Sequence, residues 1–437
     1  MRMILSMAGL GGLLYGIDFG TIAAAMPYIK ALGMFSDAQV SWIVGAVLFG
    51  GILSSLSAGV LCDRFGRKRM ILAAAAMFLA AIPIVCLSGG SLWLMMAGRV
   101  LQGMSAGYMA VVMPMYLTET LPPEIRGRGT GVFQFCLWVG LVGAAFIGLV
   151  VAGWLGAADA EGIAAETKNL AWKVNFWWTM LPVAVLFVGG FFLPESPVWL
   201  ERLASGTSRT SGTRETKETG TLLCRRYVVP FLLAVAVLTL NKTTGMSSVT
   251  SYAVVIFNKA GFTGSLGNVG DLAIKLVSMV TTLVAASLVD RKGRTWLLKV
   301  GTSGMTVGLL AIGAVFFAIE RCGVAASPAS GLFCLAAFFV MEIFYSLGPG
   351  ICVWLVLSEL MPMRIRANGM AIALFMNQLT AWGLASSFLP WVNSWGWDSM
   401  FFFFAANGVI YFLVALCIPE TKGKSLEELE TLFERKR

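Results

Sequence analysis

Apolar stretches of about twenty residues or more recur twelve times along this chain, at 3–29, 40–62, 70–88, 92–118, 127–153, 174–194, 227–257, 266–290, 295–319, 328–358, 366–388 and 397–418. A helix needs about 20 apolar residues to cross the hydrocarbon core of a bilayer. In lipid, only helices and closed barrels satisfy every backbone polar group internally. The pattern therefore predicts an all-α membrane protein with twelve transmembrane helices. Composition agrees: of 437 residues, 58% are hydrophobic and 13% charged, with mean hydropathy +0.81. Soluble domains carry about 25% charged residues, so the apolar surplus here must face lipid. Arg2 and the apolar run behind it fit a signal peptide loosely, but Asp18 interrupts the run. The segment reads as the first span.

The longest gap between spans is rich in Ser, Thr and Gly over 205–213, then alternates charge over 214–219. Such composition reads as a flexible linker. It divides the chain into an N-terminal six-helix bundle (1–194), a cytoplasmic linker (195–226), a C-terminal six-helix bundle (227–418) and a cytoplasmic tail (419–437). With both termini inside, 24 Lys and Arg fall beside inner helix ends and 5 beside outer ones, with Arg99, Lys242 and Lys275 left within spans. The positive-inside rule then predicts cytoplasmic termini. The same scatter over short loops excludes a nucleic-acid face as the reason for the +9 charge. The halves repeat each other. Asp63-Arg64-Phe65-Gly66-Arg67 returns as Asp290-Arg291-Lys292-Gly293-Arg294, Glu119 with Arg126 as Glu359 with Arg366, and Pro194-Glu195-Ser196 as Pro419-Glu420-Thr421. The bundles are expected to be pseudo-symmetric, with a solute site near midplane.

The eight Cys form no CxxC pair and there is no His. These facts predict no disulfide framework, no metal site, no cofactor and no Ser-His-Asp or Cys-His nucleophile, so the chain reads as no enzyme. Any proton relay inside the membrane must rest on a carboxylate.

The motifs carry a family likeness. They are Gly59 to Lys68, Gly98-Arg99-Val100-Leu101-Gln102-Gly103, Pro114 to Glu119, Pro194 to Leu200, Gly348-Pro349-Gly350 and Pro419 to Glu428. Over nearly its whole length the chain resembles the major facilitator superfamily and, within it, the sugar porter family. Val198, where that family usually has Arg, is one departure. The resemblance implies that Asp63, Arg64, Arg67, Glu119 and Arg126, with Glu195, form one cytoplasmic gating network, and that Asp290, Arg291, Arg294, Glu359 and Arg366, with Glu420, form another. Read physically, the same charges are also topology signals and exposed pairs worth about 0–1 kcal/mol each. Gly103 and Gly107 read as a helix-packing pair.

Asp18 and Arg99 are the proton-coupling candidates. A carboxylate within a span is costly and usually functional, and Arg stays charged. Proton-coupled sugar porters resemble this chain at both positions, and facilitative relatives commonly lack the acid. The alternative is a static ion pair. By resemblance, Gln134 on the fifth helix, Trp354 on the tenth and Asn377 on the eleventh contact the sugar. The seventh helix departs from the family pattern of paired Gln followed by Gly, Asn and paired Tyr. It carries Asn241, Lys242, Thr243, Thr244, Gly245, Met246 and Ser247, then Ser251 and Tyr252. Ser278 stands on the eighth helix where Asn is common.

Three readings of Lys242 stay open: pairing with an acid such as Glu342, binding the carboxylate of a sugar acid or other organic anion, or taking part in proton coupling. Glu342 is either that partner or a second titrating acid. Asp271 and Lys275, four residues apart, read as a self-neutralising pair. Together these features predict a secondary active transporter that imports a monosaccharide or sugar-like solute by proton symport with alternating access. The alternatives are a facilitative uniporter, a carrier of a sugar acid or organic anion through Lys242, and a non-transporting nutrient sensor, against which the short tail weighs. The expected partners are the sugar, polyol or sugar acid, protons and the lipid bilayer, with no nucleic acid and no obligatory protein partner. The expected location is a bacterial inner membrane.

Overall fold

A computed structural model describes residues 2–160, 162–204, 225–360 and 366–420. The side chains of Arg126, Asp290, Glu359 and Arg366 lie outside the described residues. Sixteen helices and no strand occur among the described residues. They are α1 (Arg2–Ala31), α2 (Asp37–Phe65), α3 (Arg67–Cys86), α4 (Leu92–Thr120), α5 (Pro123–Leu155), α6 (Ala165–Trp177), α7 (Met180–Gly190) and α8 (Pro197–Ala204), followed by α9 (Arg225–Thr243), α10 (Met246–Ala260), α11 (Leu266–Lys292), α12 (Arg294–Glu320), α13 (Pro328–Leu347), α14 (Pro349–Leu360), α15 (Arg366–Trp395) and α16 (Trp397–Cys417). Twelve stretches are long and apolar enough to span a membrane, because α6 with α7, α9 with α10 and α13 with α14 each make one broken span.

The breaks have local causes. Gly245 takes φ +79°, a left-handed conformation that ends α9 and starts α10. Pro349 has no N–H to continue α13 beyond Gly348. Thr179 folds its hydroxyl onto the Phe176 carbonyl at 2.6 Å and interrupts the sixth span. That span begins at Ala165, earlier than the apolar run from 174 suggests. Lys168 and Lys173 lie on α6 half-buried, their stems along apolar surface, and the Lys173 ammonium lies 5.7 Å from the Trp172 ring centre. The eleventh span runs on to Trp395, through Pro390. Short α8 occupies the start of the segment read as a linker.

The chain groups into two compact units. One takes the described part of Met1–Lys217 with Thr250–Val255 and Thr263–Lys275; the other takes the described part of Glu218–Val249, Ile256–Phe262 and Leu276–Arg437. In the first unit, α1 lies along α5 and α4 between α2 and α3. The approach is close: a Cβ on Gly12 or Gly16 would enter the carbonyls of Phe133 or Leu137, and one on Gly103 the carbonyl of Val47. In the second unit, α12 packs against α13 and α16 around aromatic rings. Phe316 stacks on Phe401 and on Trp397, each at 5.5 Å, and Phe257 meets Phe338 at 4.8 Å.

Candidate functional site

In the middle of α1, Asp18 is 1% exposed, and Arg99 on α4 is equally buried. The Arg99 Nη1 lies 3.6 Å from Asp18 Oδ1, too far for a hydrogen bond but close for an ion pair. The same Nη1 donates to Gln102 Oε1 at 2.8 Å, one turn further along α4. The guanidinium also sits 5.6 Å from the Phe176 ring centre. Neither Asp18 oxygen accepts a hydrogen bond among the described residues. Its carboxylate is thus held by charge attraction alone, and a proton can be added without breaking a hydrogen bond. Gln102 and Phe176 were not singled out by sequence; the three-residue spacing from Arg99 to Gln102 is the signal that points to the first of them.

At the Gly66 end of the same unit, Arg67 is fully buried and organises four elements. Its Nη2 donates to Glu119 Oε1 at 2.8 Å, and its Nε lies 2.8 Å from Glu119 Oε2 as an ion pair. Its Nη1 reaches Asp63 Oδ1 at 3.4 Å and donates to the Cys62 carbonyl at 3.1 Å. Ser196 donates to Glu119 at 2.5 Å, and the Trp199 indole to the Asp63 carbonyl at 2.9 Å. Arg64 is exposed, its guanidinium 5.4 Å from the Phe65 ring centre.

Glu195 has a local task here. Its Oε1 accepts from the N–H groups of Arg67, Lys68 and Ser196 at 2.9–3.0 Å, so it caps the N-terminus of α3 from more than a hundred residues away. Gly66, at φ +89°, makes room: a Cβ there would press on the Glu195 carboxylate. The second unit repeats the device. Glu420 Oε1 and Oε2 accept from Arg294 N and Thr295 N at 3.0 and 3.1 Å, beside Gly293 at φ +90°. Arg294 Nη1 reaches the Val289 carbonyl as Arg67 reaches that of Cys62. Arg291 is exposed.

Most of the remaining positions lie in the second unit, two of them at the α9–α10 break. Lys242 is half-buried, and its Nζ donates to Ser247 Oγ at 3.1 Å. It makes no ion pair with Glu342, whose Oε1 accepts from Ser278 Oγ at 2.5 Å with both side chains buried. Of the three readings of Lys242, pairing with Glu342 is not the one seen: each of the two side chains meets a hydroxyl. Asn377 is buried and donates to the Leu238 carbonyl at 2.8 Å, so its amide braces α9. Asn241, next to Lys242 in sequence, is buried, and Trp354 on α14 is 52% exposed. In the first unit, Gln134 on α5 is exposed. Lys275 and Asp271 form a buried 2.6 Å pair, as their spacing predicts.

The family model described as "Sugar (and other) transporter" matches residues 4–433. Among curated relatives, an arabinose-proton symporter of Bacillus subtilis is 28% identical over 98% of this chain and 93% of its own. A glucose transporter of Staphylococcus epidermidis is 30% identical over 98% and 96%. The inward-open xylose transporter of Escherichia coli superposes with a TM-score of 0.81 at 23% identity, over 98% of this chain and 99% of that one. That likeness is one of fold: twelve spans in the major facilitator arrangement. With the match running across almost every residue, the chain belongs to the Sugar (and other) transporter family.

Proposed function

We propose that the protein imports a monosaccharide or sugar-like solute together with a proton, by alternating access of two six-helix halves, 1–194 and 227–418. The observation that carries the reading is the buried Asp18–Arg99 pair. A proton on Asp18 removes the charge that balances Arg99 and leaves the guanidinium on Gln102, so proton binding changes what holds α1 to α4. Relatives support the coupling: among them are an arabinose-proton symporter and a galactose-proton symporter of Escherichia coli. At about 150 mV one proton contributes about 3.5 kcal/mol, enough for roughly 300-fold accumulation of a neutral solute.

The proposed solute contacts are Gln134, Asn241, Lys242, Ser247, Ser278, Trp354 and Asn377. Asp63, Arg64, Arg67, Glu119 and Arg126, with Asp290, Arg291, Arg294, Glu359 and Arg366, are proposed as conformation-dependent locks on the cytoplasmic side. Glu195 and Glu420 act in them by capping. The surplus of Lys and Arg beside one set of helix ends supports cytoplasmic termini in a bacterial inner membrane.

The test is Asp18→Asn in proteoliposomes. Asn keeps the shape and cannot titrate, so uphill uptake is expected to vanish while counterflow exchange persists. Uphill uptake by the variant, or indifference of the native protein to a protonophore, would sink the coupling.

A further inference from the structure

Arg99, Lys275 and Lys242 lie within spans, and the first two have a carboxylate: Arg99 has Asp18 and Lys275 has Asp271. The third is Lys242, on the last turn of α9. Its described partner is the neutral hydroxyl of Ser247, on the first turn of α10, and no carboxylate among the described residues pairs with it. A lysine inside a span needs an anion, backbone carbonyls or water.

Four of the backbone carbonyls near it are engaged. Leu238 O accepts from Asn377, Leu240 O from Thr243 Oγ1 and Thr244 N, Asn241 O from Thr244 Oγ1, and Lys242 O from Gly245 N. A helix C-terminus ordinarily offers such carbonyls to a lysine; here the threonines and Asn377 take them. On the other side of the break, α10 begins at Met246, and the N-terminal end of a helix carries positive potential that favours an anion. Lys242 and Ser247 are both half-buried, so the ammonium and hydroxyl remain within reach of a small solute.

The geometry points to a carboxylate-binding subsite at Lys242 and Ser247 in the broken seventh span, and so to a carboxylated monosaccharide, a uronic or aldonic acid, as the transported solute. One ammonium with one hydroxyl matches a single negative charge. This rests on the proposed proton-coupled uptake of a sugar-like solute and deepens it. It also changes the energetics. One proton entering with a monoanion moves no net charge, so a pH gradient drives uptake and a membrane potential does not.

The experiment uses the full-length protein with galacturonate, galactose and lactate. Galacturonate is expected to raise the thermal midpoint more than galactose at equal concentration, since a ligand that binds only the folded state stabilises it. Lactate is expected to give little, because it lacks the ring hydroxyls. Lys242→Gln is expected to weaken galacturonate by about 10- to 100-fold and galactose by a much smaller factor. Lys242→Arg, which keeps the charge, is expected to retain the preference. In proteoliposomes, galacturonate uptake is expected to follow an imposed pH gradient without net current. Galactose bound as tightly as galacturonate by the native protein overturns the subsite, even if Lys242→Gln does not fold. So does galacturonate affinity unchanged in Lys242→Gln, or lactate binding equal to galacturonate. Uphill galacturonate uptake that survives Asp18→Asn strikes the coupling reading and leaves the subsite standing.

Discussion

Among the described residues, the first unit and two places in the second, at Lys242 and at Glu342, hold charge in different ways. In the first, each buried cation faces a carboxylate: Arg67 has Glu119 and Asp63, Arg99 has Asp18, and Lys275 has Asp271. In the second, the described contacts at the site run to hydroxyls, Lys242 to Ser247 and Glu342 to Ser278. The surroundings differ too. Glycines bring helices close in both units, and the second adds a block of stacked aromatic rings. A unit whose ions neutralise each other is sensitive to losing either partner. A unit whose ions lean on hydroxyls loses less, because a neutral amide can keep the hydrogen bond, and a ligand can supply the missing charge.

The largest expected effect follows from that contrast. Arg67→Met leaves the Glu119 carboxylate without its buried cation, and breaking a buried pair this way costs about 3–5 kcal/mol. Folded yield and thermal midpoint in detergent are expected to fall sharply. Glu342→Gln keeps an acceptor for Ser278 and is expected to cost about 1 kcal/mol or less. Equal losses in the two variants would break the comparison.

A middle-sized effect separates the two caps. Glu195 serves its three N–H groups through Oε1 alone, whereas Glu420 uses one oxygen for each of two. In Glu195→Gln the amide oxygen replaces Oε1, so the chief loss is the charge at the helix N-terminus, about 0.3–1 kcal/mol. In Glu420→Gln an NH2 group must face a backbone N–H, which adds about 1 kcal/mol. The midpoint is expected to fall further for Glu420→Gln. The reverse order would show that charge dominates over the hydrogen bonds at both caps.

Long apolar runs made the twelve spans legible, because span length in lipid is set by bilayer thickness and little else. The repeated Asp-Arg and Pro-Glu motifs likewise announced a matched device in each half. Its physical form was not legible. Nothing in the spacing of Glu195 and Arg67 says that a carboxylate reaches a helix N-terminus 128 residues away along the chain. Lys242 was conspicuous as a cation in a span, but its neighbour depended on where the seventh helix breaks. That break brings Ser247 back to it, and leaves Glu342 with Ser278. The start of the sixth span was hidden for a related reason: Lys168 and Lys173 read as loop residues by charge, while their long stems let them ride on a helix.

The smallest effect on the folded protein distinguishes two residues that the sequence treats alike as solute contacts. Gln134 is exposed on α5, while Asn377 is buried and spends its amide on the Leu238 carbonyl. Gln134→Ala removes no described hydrogen bond, so the ligand-free midpoint is expected to stay where it is. Asn377→Ala strips a donor from a buried carbonyl just before the α9–α10 break and is expected to cost about 1 kcal/mol without ligand. With a bound sugar or sugar acid, each variant is expected to lose about 1–3 kcal/mol of binding, since a solute hydroxyl goes without its partner. Thermal midpoints with and without ligand separate the two contributions. If Asn377→Ala lowers the midpoint and leaves affinity intact, Asn377 is a brace for the seventh span and not a solute contact, and Lys242 and Ser247 are held in place by it. If Gln134→Ala leaves affinity intact as well, the amide contacts carried over from the family resemblance do not operate here, and recognition falls to the hydroxyls and the lysine at the break.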